Sequence, residues 1–195
     1  MNNENPNVFP QNEIEKLPNS FYSHAEAIYH LSEVGIEVKQ TRVADWLGVS
    51  RANVSQVIGR MQNSGLIELS DDLMLTEKGS YLAKMISRRR RIIERFLSEI
   101  LDLPWDQVYK ETKKWENVLS PVTEDAMLKI LGNPTTGIFG NPIPYSGYFE
   151  GPMKRLLDVK VNKKYNIVKI SEELKKDSSV ISFLQKNKIL PGNKI

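Results

Sequence analysis

The stretch that most narrows the possible folds lies between Thr41 and Asn63: TRVADWL, a tight GVS turn, and SRANVSQVIGRMQN, halted by Gly65. Two short helices joined through a three-residue turn containing glycine form a helix-turn-helix, because so short a link fixes the angle between them. Val43, Ala44 and Leu47 on the first helix, Val49 in the turn, and Val54, Val57, Ile58 and Met61 on the second supply the apolar faces that would lock the pair. Ahead of it, Ser20 to Val34 places Ala25, Ile28, Tyr29 and Leu31 near helical spacing and ends at Gly35. Behind it, Leu66-Ile67-Glu68-Leu69 alternates, Ser70-Asp71-Asp72 turns and Leu73-Met74-Leu75 returns, predicting a two-strand hairpin. A helix-turn-helix followed by a hairpin is a winged helix.

The leading residues of the second helix, Ser50, Arg51, Ala52 and Asn53, with Ser55 and Gln56, are short or polar. Such side chains suit a helix laid in the major groove, where base edges and phosphates present donors and acceptors. Arg60, one to two turns on, and Lys39 and Arg42 ahead are placed as phosphate contacts, whereas Asp71 and Asp72 on the wing are expected to stay clear of DNA. Double-stranded DNA is therefore the expected partner. The alternative from another class is a protein-interaction module without regulated DNA binding.

Farther on, Ser80 to Leu101 predicts a long helix with an apolar stripe of Leu82, Met85, Ile86, Ile93, Phe96, Leu97 and Ile100. A second helix follows DLPWD, from about Trp105 to Leu119, with Val108, Thr112, Trp115 and Leu119 on its buried side, and Glu124 to Leu131 gives a short third. Three helices after a winged helix commonly form a dimerisation unit, and such DNA readers usually act as homodimers on an inverted repeat. Glycine and proline dominate 132–151, which predicts an extended connector. Strands are expected at Leu156 to Val161 and Tyr165 to Ile170, and a helix at Ser178 to Asn187. The fold class is thus mainly α with small β. Its expected parts are a flexible tail (1–19), a winged-helix DNA-binding domain (20–79), a helical dimerisation domain (80–137), a Gly/Pro linker (138–152) and a small β module (153–195).

A chain of 195 residues can bury two small cores without staples. The absence of cysteine removes disulfides, thiolate ligands and thiol nucleophiles together and suits a reducing cytoplasm. No apolar run approaches the roughly 18 residues of a bilayer span, and the first twenty residues are polar and proline-punctuated, so no membrane partner is expected. With only two histidines, His24 and His30, no nucleophile paired with a base and no phosphate-cradling glycine loop, catalysis is not expected. The net charge of +3 is unevenly spread: Lys78 to Arg95 carries seven bases against Glu94 alone. Inside that run, SRRRRIIERF sets four successive arginines on the long helix, of which Arg88, Arg89 and Arg91 read as a solvated or phosphate-facing surface.

Six stretches carry a resemblance. AIYHLSEVGI (Ala27 to Ile36), VSQVIGRMQNSGLI (Val54 to Ile67), LTEKG (Leu75 to Gly79), RRRRIIERFL (Arg88 to Leu97), WENVLS (Trp115 to Ser120) and FGNPIP (Phe139 to Pro144), in this order and spacing, resemble the diphtheria-toxin-repressor family of iron- and manganese-dependent transcriptional repressors. The resemblance implies a winged-helix DNA reader, a helical dimerisation and metal-binding domain and an SH3-like C-terminal module. It also implies that Fe(II) or Mn(II) switches on repression of metal-uptake genes. The SH3-like module of the family normally continues through further strands, so a partial, loosely docked module is expected here.

The same resemblance implies where metal ligands would lie, and most of those positions have changed. A histidine position falls on Arg90, while the glutamate four residues later is kept as Glu94. Tyr109 stands for a second histidine, Lys113 for a cysteine or glutamate and Asn117 for a further histidine, with Glu116 kept between them. Ser23 takes a methionine or aspartate position, Glu26 keeps the acid of manganese-type members, and Glu172 keeps an acid whose glutamine partner is Lys175. A permanent cation among the ligands repels a divalent metal. The expectation is therefore no metal cofactor, with Arg90, Lys113 and Lys175 paired to Glu26, Glu94, Glu116 and Glu172 in its place. Two alternatives stand beside it: unrelated surface charges in a decayed site, or an Fe(II)- or Mn(II)-dependent repressor with a rewired ligand set including Glu26, Glu94, Glu116 and His24.

Overall fold

The computed structural model describes residues 17–68, 72–116 and 118–195, and the chain forms two compact units, one ending at Ile86 and one running Ser87–Ile195. The first holds helices α1 (Asn19–Glu33), α2 (Gln40–Leu47) and α3 (Arg51–Asn63) and strands β1 (Ile67–Glu68) and β2 (Met74–Leu75). Helix α4 (Glu77–Glu99) supplies its residues up to Ile86 to this unit and the remainder to the second. The second unit continues with α5 (Trp105–Trp115), α6 (Pro121–Ile130), two short 3-10 turns (Leu156–Asp158 and Glu172–Lys176) and α7 (Ser178–Lys186).

Local chemistry sets the helix-turn-helix. Gly48 ends α2 in the left-handed region at φ 67°, which a residue with a Cβ adopts only with strain. Two residues later the Ser50 hydroxyl accepts the Asn53 amide at 3.2 Å and caps α3. Val43, Ala44, Val54, Val57, Ile58 and Met61 are all buried, packed with Phe21, Ala25, Ile28 and Leu31 of α1. Val49 is the exception: at 40% exposed it lies outside this core, so the turn is held by its backbone and cap rather than by an apolar anchor. The hairpin forms as expected, with Ile67 opposite Leu75 and Glu68 opposite Met74.

Caps also explain where the helix limits differ from the periodicity. The Thr76 hydroxyl donates to the Gly65 carbonyl at 2.7 Å and accepts the Gly79 amide at 3.1 Å, so α4 begins at Glu77 rather than Ser80. Gly79 must lack a side chain, since a Cβ there would collide with the Leu66 carbonyl oxygen. Ser120 and Pro121 form an N-cap and first-turn proline, which starts α6 at Pro121 and ends α5 before Leu119.

The second unit buries Ile93, Leu97, Trp105, Val108, Ile138, Phe139, Ile170 and Ile181 in one cluster and Ile92, Met127, Leu128 and Ile143 in another. Ile100, expected on the apolar stripe, is 46% exposed just beyond the end of α4. The Gly/Pro-rich stretch is irregular but packed: Ile138, Phe139 and Ile143 are core residues, and the Phe139 carbonyl accepts the Ile170 amide at 2.9 Å. The strands expected after it do not form. Leu156–Asp158 is a 3-10 turn closed by Arg155 on Asp158, and the second segment pairs only briefly, through an isolated bridge of Asn166 with Lys194 flanked by hydrogen bonds of Tyr165 to Ile195 and of Ile167 to Asn193. Leu156 and Leu157 are 71% and 92% exposed, so their apolar run meets no neighbouring strand or core. No described helix is long and apolar enough to cross a membrane.

Candidate DNA-reading surface and internal cation sites

Each residue expected to read DNA, Lys39, Arg42, Ser50, Arg51, Ala52, Asn53, Ser55, Gln56 and Arg60, is exposed on the first unit. The geometry follows from α3 burying Val54, Val57, Ile58 and Met61, which turns the intervening polar residues outward. Arg42 and Arg51 have no side-chain partner among the described residues. The Arg60 guanidinium lies 5.3 Å from the Phe21 ring centroid, so its stem is steadied while its face stays open. Lys39 is held by Glu37 at 2.8 Å, an exposed pair that solvent screens. Residues 1–16, the wing acid Asp71 and Asn117 lie outside the described residues.

The arginine row corrects the sequence reading. Successive residues of a helix point about 100° apart, so four in a row face four directions. All four nevertheless find acceptors, which requires chain on every side of this part of α4. Arg88 donates to Glu124 at 2.9 Å and to the Pro144 carbonyl at 3.0 Å. Arg89 reaches the other Glu124 oxygen at 3.4 Å and the Glu116 carbonyl at 3.3 Å. Arg91, 1% exposed, donates to Glu172 at 3.1 Å and to the Pro142 carbonyl. These are internal ties, not a solvated or phosphate-facing surface. Glu124, which the sequence reading passed over, sits on the face of α6 that buries Met127 and Leu128; an acid at three and four residues from core positions was the available signal.

Two of the three proposed cation replacements occupy the retained acids directly. Arg90 donates to one Glu116 oxygen through Nε at 2.8 Å and Nη2 at 2.6 Å. Lys175 donates to both oxygens of Glu94, at 2.7 and 2.9 Å, and lies 3.3 Å from Glu172. Its ammonium also sits 5.1 Å from the Phe139 ring centroid. Burial pushes the Glu94 carboxyl up, and the Lys175 ammonium pulls against that rise. Lys113 is a lesser member: it is 3.6 Å from Glu116, half exposed, and stacked over Tyr109 at 5.8 Å.

In the first unit, Glu26 is buried with its Oε1 3.6 Å from His30 Nε2, and the Ser23 hydroxyl donates to the Ser20 carbonyl at 3.1 Å. His24 is 3% exposed, and its Nδ1 hydrogen-bonds the Ser20 carbonyl at 2.7 Å. Burial lowers its pKa, against the Ser20 carbonyl, so the ring is neutral with Nδ1–H as donor. Its Nε2 then carries a lone pair with no hydrogen-bond partner.

The donor set does not fit a divalent ion. A ligand carboxylate must turn lone pairs toward the metal, yet those of Glu94 and Glu116 already face ammonium and guanidinium groups that cannot leave as a proton would. Among the described residues no group of three or more His, Cys, Asp and Glu has metal-holding geometry.

The profile described as "Iron dependent repressor, N-terminal DNA binding domain" matches residues 23–75, and that described as "Iron dependent repressor, metal binding and dimerisation domain" matches residues 76–145. The iron-dependent repressor IdeR of Mycobacterium tuberculosis is 40% identical over 133 residues, 67% of this chain and 58% of that protein. The diphtheria toxin repressor of Corynebacterium diphtheriae is 36% identical over 123 residues, 62% of this chain and 54% of that protein. The chain thus aligns with little more than half the length of these relatives. In fold it is similar to a manganese-dependent transcriptional repressor in complex with manganese (TM-score 0.79, 24% identity, covering 89% of this chain and 81% of the other). It is likewise similar to the manganese regulator SloR (TM-score 0.71, 23% identity, covering 91% and 82%).

Proposed function

Since the chain belongs to the iron-dependent repressor family, we propose that it is a cytoplasmic, dimeric, sequence-specific DNA-binding repressor that reads an inverted-repeat operator, at metal-homeostasis genes by family analogy. The exposed polar face of α3, with Ser50, Arg51, Asn53, Ser55 and Gln56 outward over a buried apolar face, is the observation that supports it. Arg51, Asn53 and Gln56 would read base edges, and Lys39, Arg42 and Arg60 would hold phosphates. We assign it no catalytic role.

The reading departs from its relatives in the cofactor. Arg90 and Lys175 supply the positive charge that the acids at the family's ligand positions would otherwise take from a metal, so DNA binding needs no Fe(II) or Mn(II). In place of exchangeable ions the chain carries charges that stay at any metal concentration. The Lys175 contact with both Glu94 oxygens is the single observation that carries this reading.

A second reading rests on His24. A buried, neutral imidazole whose Nε2 lone pair has no partner is a ready ligand, and it supports a metal-dependent repressor with a rewired site. One experiment separates the two: binding to a genomic fragment library at one fixed salt concentration, in chelator and then with anaerobic Fe(II) or Mn(II). Tight specific binding in chelator that metal leaves unchanged is the expected result. Binding that appears only with metal would overturn the metal-free reading.

A further inference from the structure

Besides the run from Lys78 to Arg95, a second excess of positive charge lies in the last part of this sequence. Residues 153–195 hold eleven Lys and Arg against four Asp and Glu, although the excess over the whole chain is three. The four acids have work elsewhere. Glu172 is buried against Arg91 and Lys175, Asp158 pairs with Arg155 at 2.9 Å, and Asp177 caps α7 by accepting the Ser179 and Val180 amides. Glu173 stands near Lys176. Lys160, Lys163, Lys164, Lys186, Lys188 and Lys194 are exposed and have no ion-pair partner among the described residues.

Backbone pairing gathers five of these six. Tyr165 and Ile195 exchange amide-to-carbonyl bonds, both 3.0 Å, and the Ile167 amide donates to the Asn193 carbonyl at 2.8 Å. That pairing sets Lys194 beside the stretch carrying Lys163 and Lys164. The Lys160 amide donates to the Tyr165 hydroxyl at 3.1 Å, closing the turn that holds Lys160 against the same residue. The Asn193 side-chain amide donates to the Lys188 carbonyl at 2.8 Å and brings Lys188 to the other end of the pair. Three stretches of sequence carrying exposed lysines thus meet at the surface around the pairing of Tyr165 with Ile195.

We propose that this surface, Lys160, Lys163, Lys164, Lys188 and Lys194, is a second, sequence-independent contact to the phosphates of double-stranded DNA. The inference rests on the proposed function, since a duplex held by α3 is present at high local concentration to every other part of the same chain. Unpaired ammonium groups on flexible stems are point charges suited to phosphates and carry no base pattern. An anionic membrane is the competing polyanion, but a membrane-surface element of this charge takes the form of an amphipathic basic helix. Here the lysines lie on turns and paired extended segments, and α7 contributes Lys186 alone.

The test compares the full chain with its Lys163→Gln/Lys164→Gln/Lys194→Gln variant on an operator-bearing duplex and a scrambled duplex across a range of salt. Each lost phosphate contact lowers the slope of log affinity against log salt by about 0.9, so the triple variant is expected to lose about 2 to 3 from the slope on both duplexes, with operator preference retained. Circular dichroism and the thermal midpoint check that these exposed changes leave the fold intact. Equal slopes for the two proteins would overturn the inference while leaving the α3 reading in place. A lysine-dependent slope without any operator preference would do the reverse. In a parallel arm with phosphatidylserine vesicles, loss of co-sedimentation in the variant with unchanged DNA slopes would overturn it in favour of a membrane surface, and absence of wild-type duplex binding would overturn both readings.

Discussion

Lys175 Nζ bonds both carboxylate oxygens of Glu94, a residue 81 positions earlier on α4, with the two side chains 5% and 1% exposed. A charge pair this well buried is costly to desolvate and is stable only while both members are present. Arg91 and Glu172 extend it into a run of alternating charge that ties the 3-10 turn at Glu172–Lys176 to α4. Removing one member of such a pair strands a buried charge, whereas replacing both by apolar groups does not, so truncation and apolar replacement should differ.

Lys175→Ala leaves Glu94 buried and unpaired, and is expected to destabilise the protein by roughly 3–5 kcal/mol. Glu94→Leu/Lys175→Met replaces both charges with apolar groups and is expected to recover most of that loss. Urea denaturation of the two variants beside wild type measures it. A double variant as unstable as the single one would show that the pair itself holds the turn.

Arg91→Ala tests whether the arginine row faces inward. Removing one of the two cations against buried Glu172 should destabilise the protein in a denaturation experiment, by less than the roughly 3–5 kcal/mol of a fully unpaired charge because Lys175 remains, and leave the salt slope of DNA binding unchanged. A phosphate-facing arginine would give the opposite pattern, a shallower slope at constant stability.

On α3, Arg51→Ala and Asn53→Ala are each expected to cost about 1–3 kcal/mol of operator binding and to relax the base preference at one position of each half-site. Arg42→Ala should instead weaken operator and scrambled duplexes alike. Fluorescence anisotropy on both duplexes distinguishes the two behaviours.

Metal analysis after anaerobic equilibration with Fe(II) or Mn(II) and desalting is expected to find no stoichiometric ion. Should one bind, His24→Ala decides where: loss of the bound metal would place it on the rewired site of the second reading.

Asp177 gives a pH prediction. Its carboxylate caps α7 and accepts from the Ser179 hydroxyl and the Ser179 and Val180 amides, which hold its pKa below the unfolded value of 3.8. A depressed folded pKa means that the cap's stabilisation is present above pH 3.8 and lost as pH falls through the folded value. Wild type and Asp177→Ala should therefore differ in thermal midpoint at neutral pH and converge in acid. A gap that persists below the folded value would show that the charge is not what stabilises α7.

The helix-turn-helix was legible because everything that makes it is local: the apolar spacing of Val43 to Met61, the left-handed Gly48 and the Ser50 cap lie within one short stretch. The exposed face of α3 followed from the same periodicity, and so did the hairpin. What Arg88, Arg89 and Arg91 do was not legible, because a run of arginines reads the same whether water or protein surrounds it, and their acceptors Glu116, Glu124, Pro142, Pro144 and Glu172 arrive from distant parts of the chain. Of the strands expected between Leu156 and Ile170, the first meets no partner and the second pairs only around Asn166, for a related reason: a strand exists only where another segment pairs with it, and alternation in one segment says nothing about that partner. Local spacing and caps determined the DNA-reading fold, while tertiary packing alone decided which charges face each other, since pairing depends on distances that sequence separation does not encode.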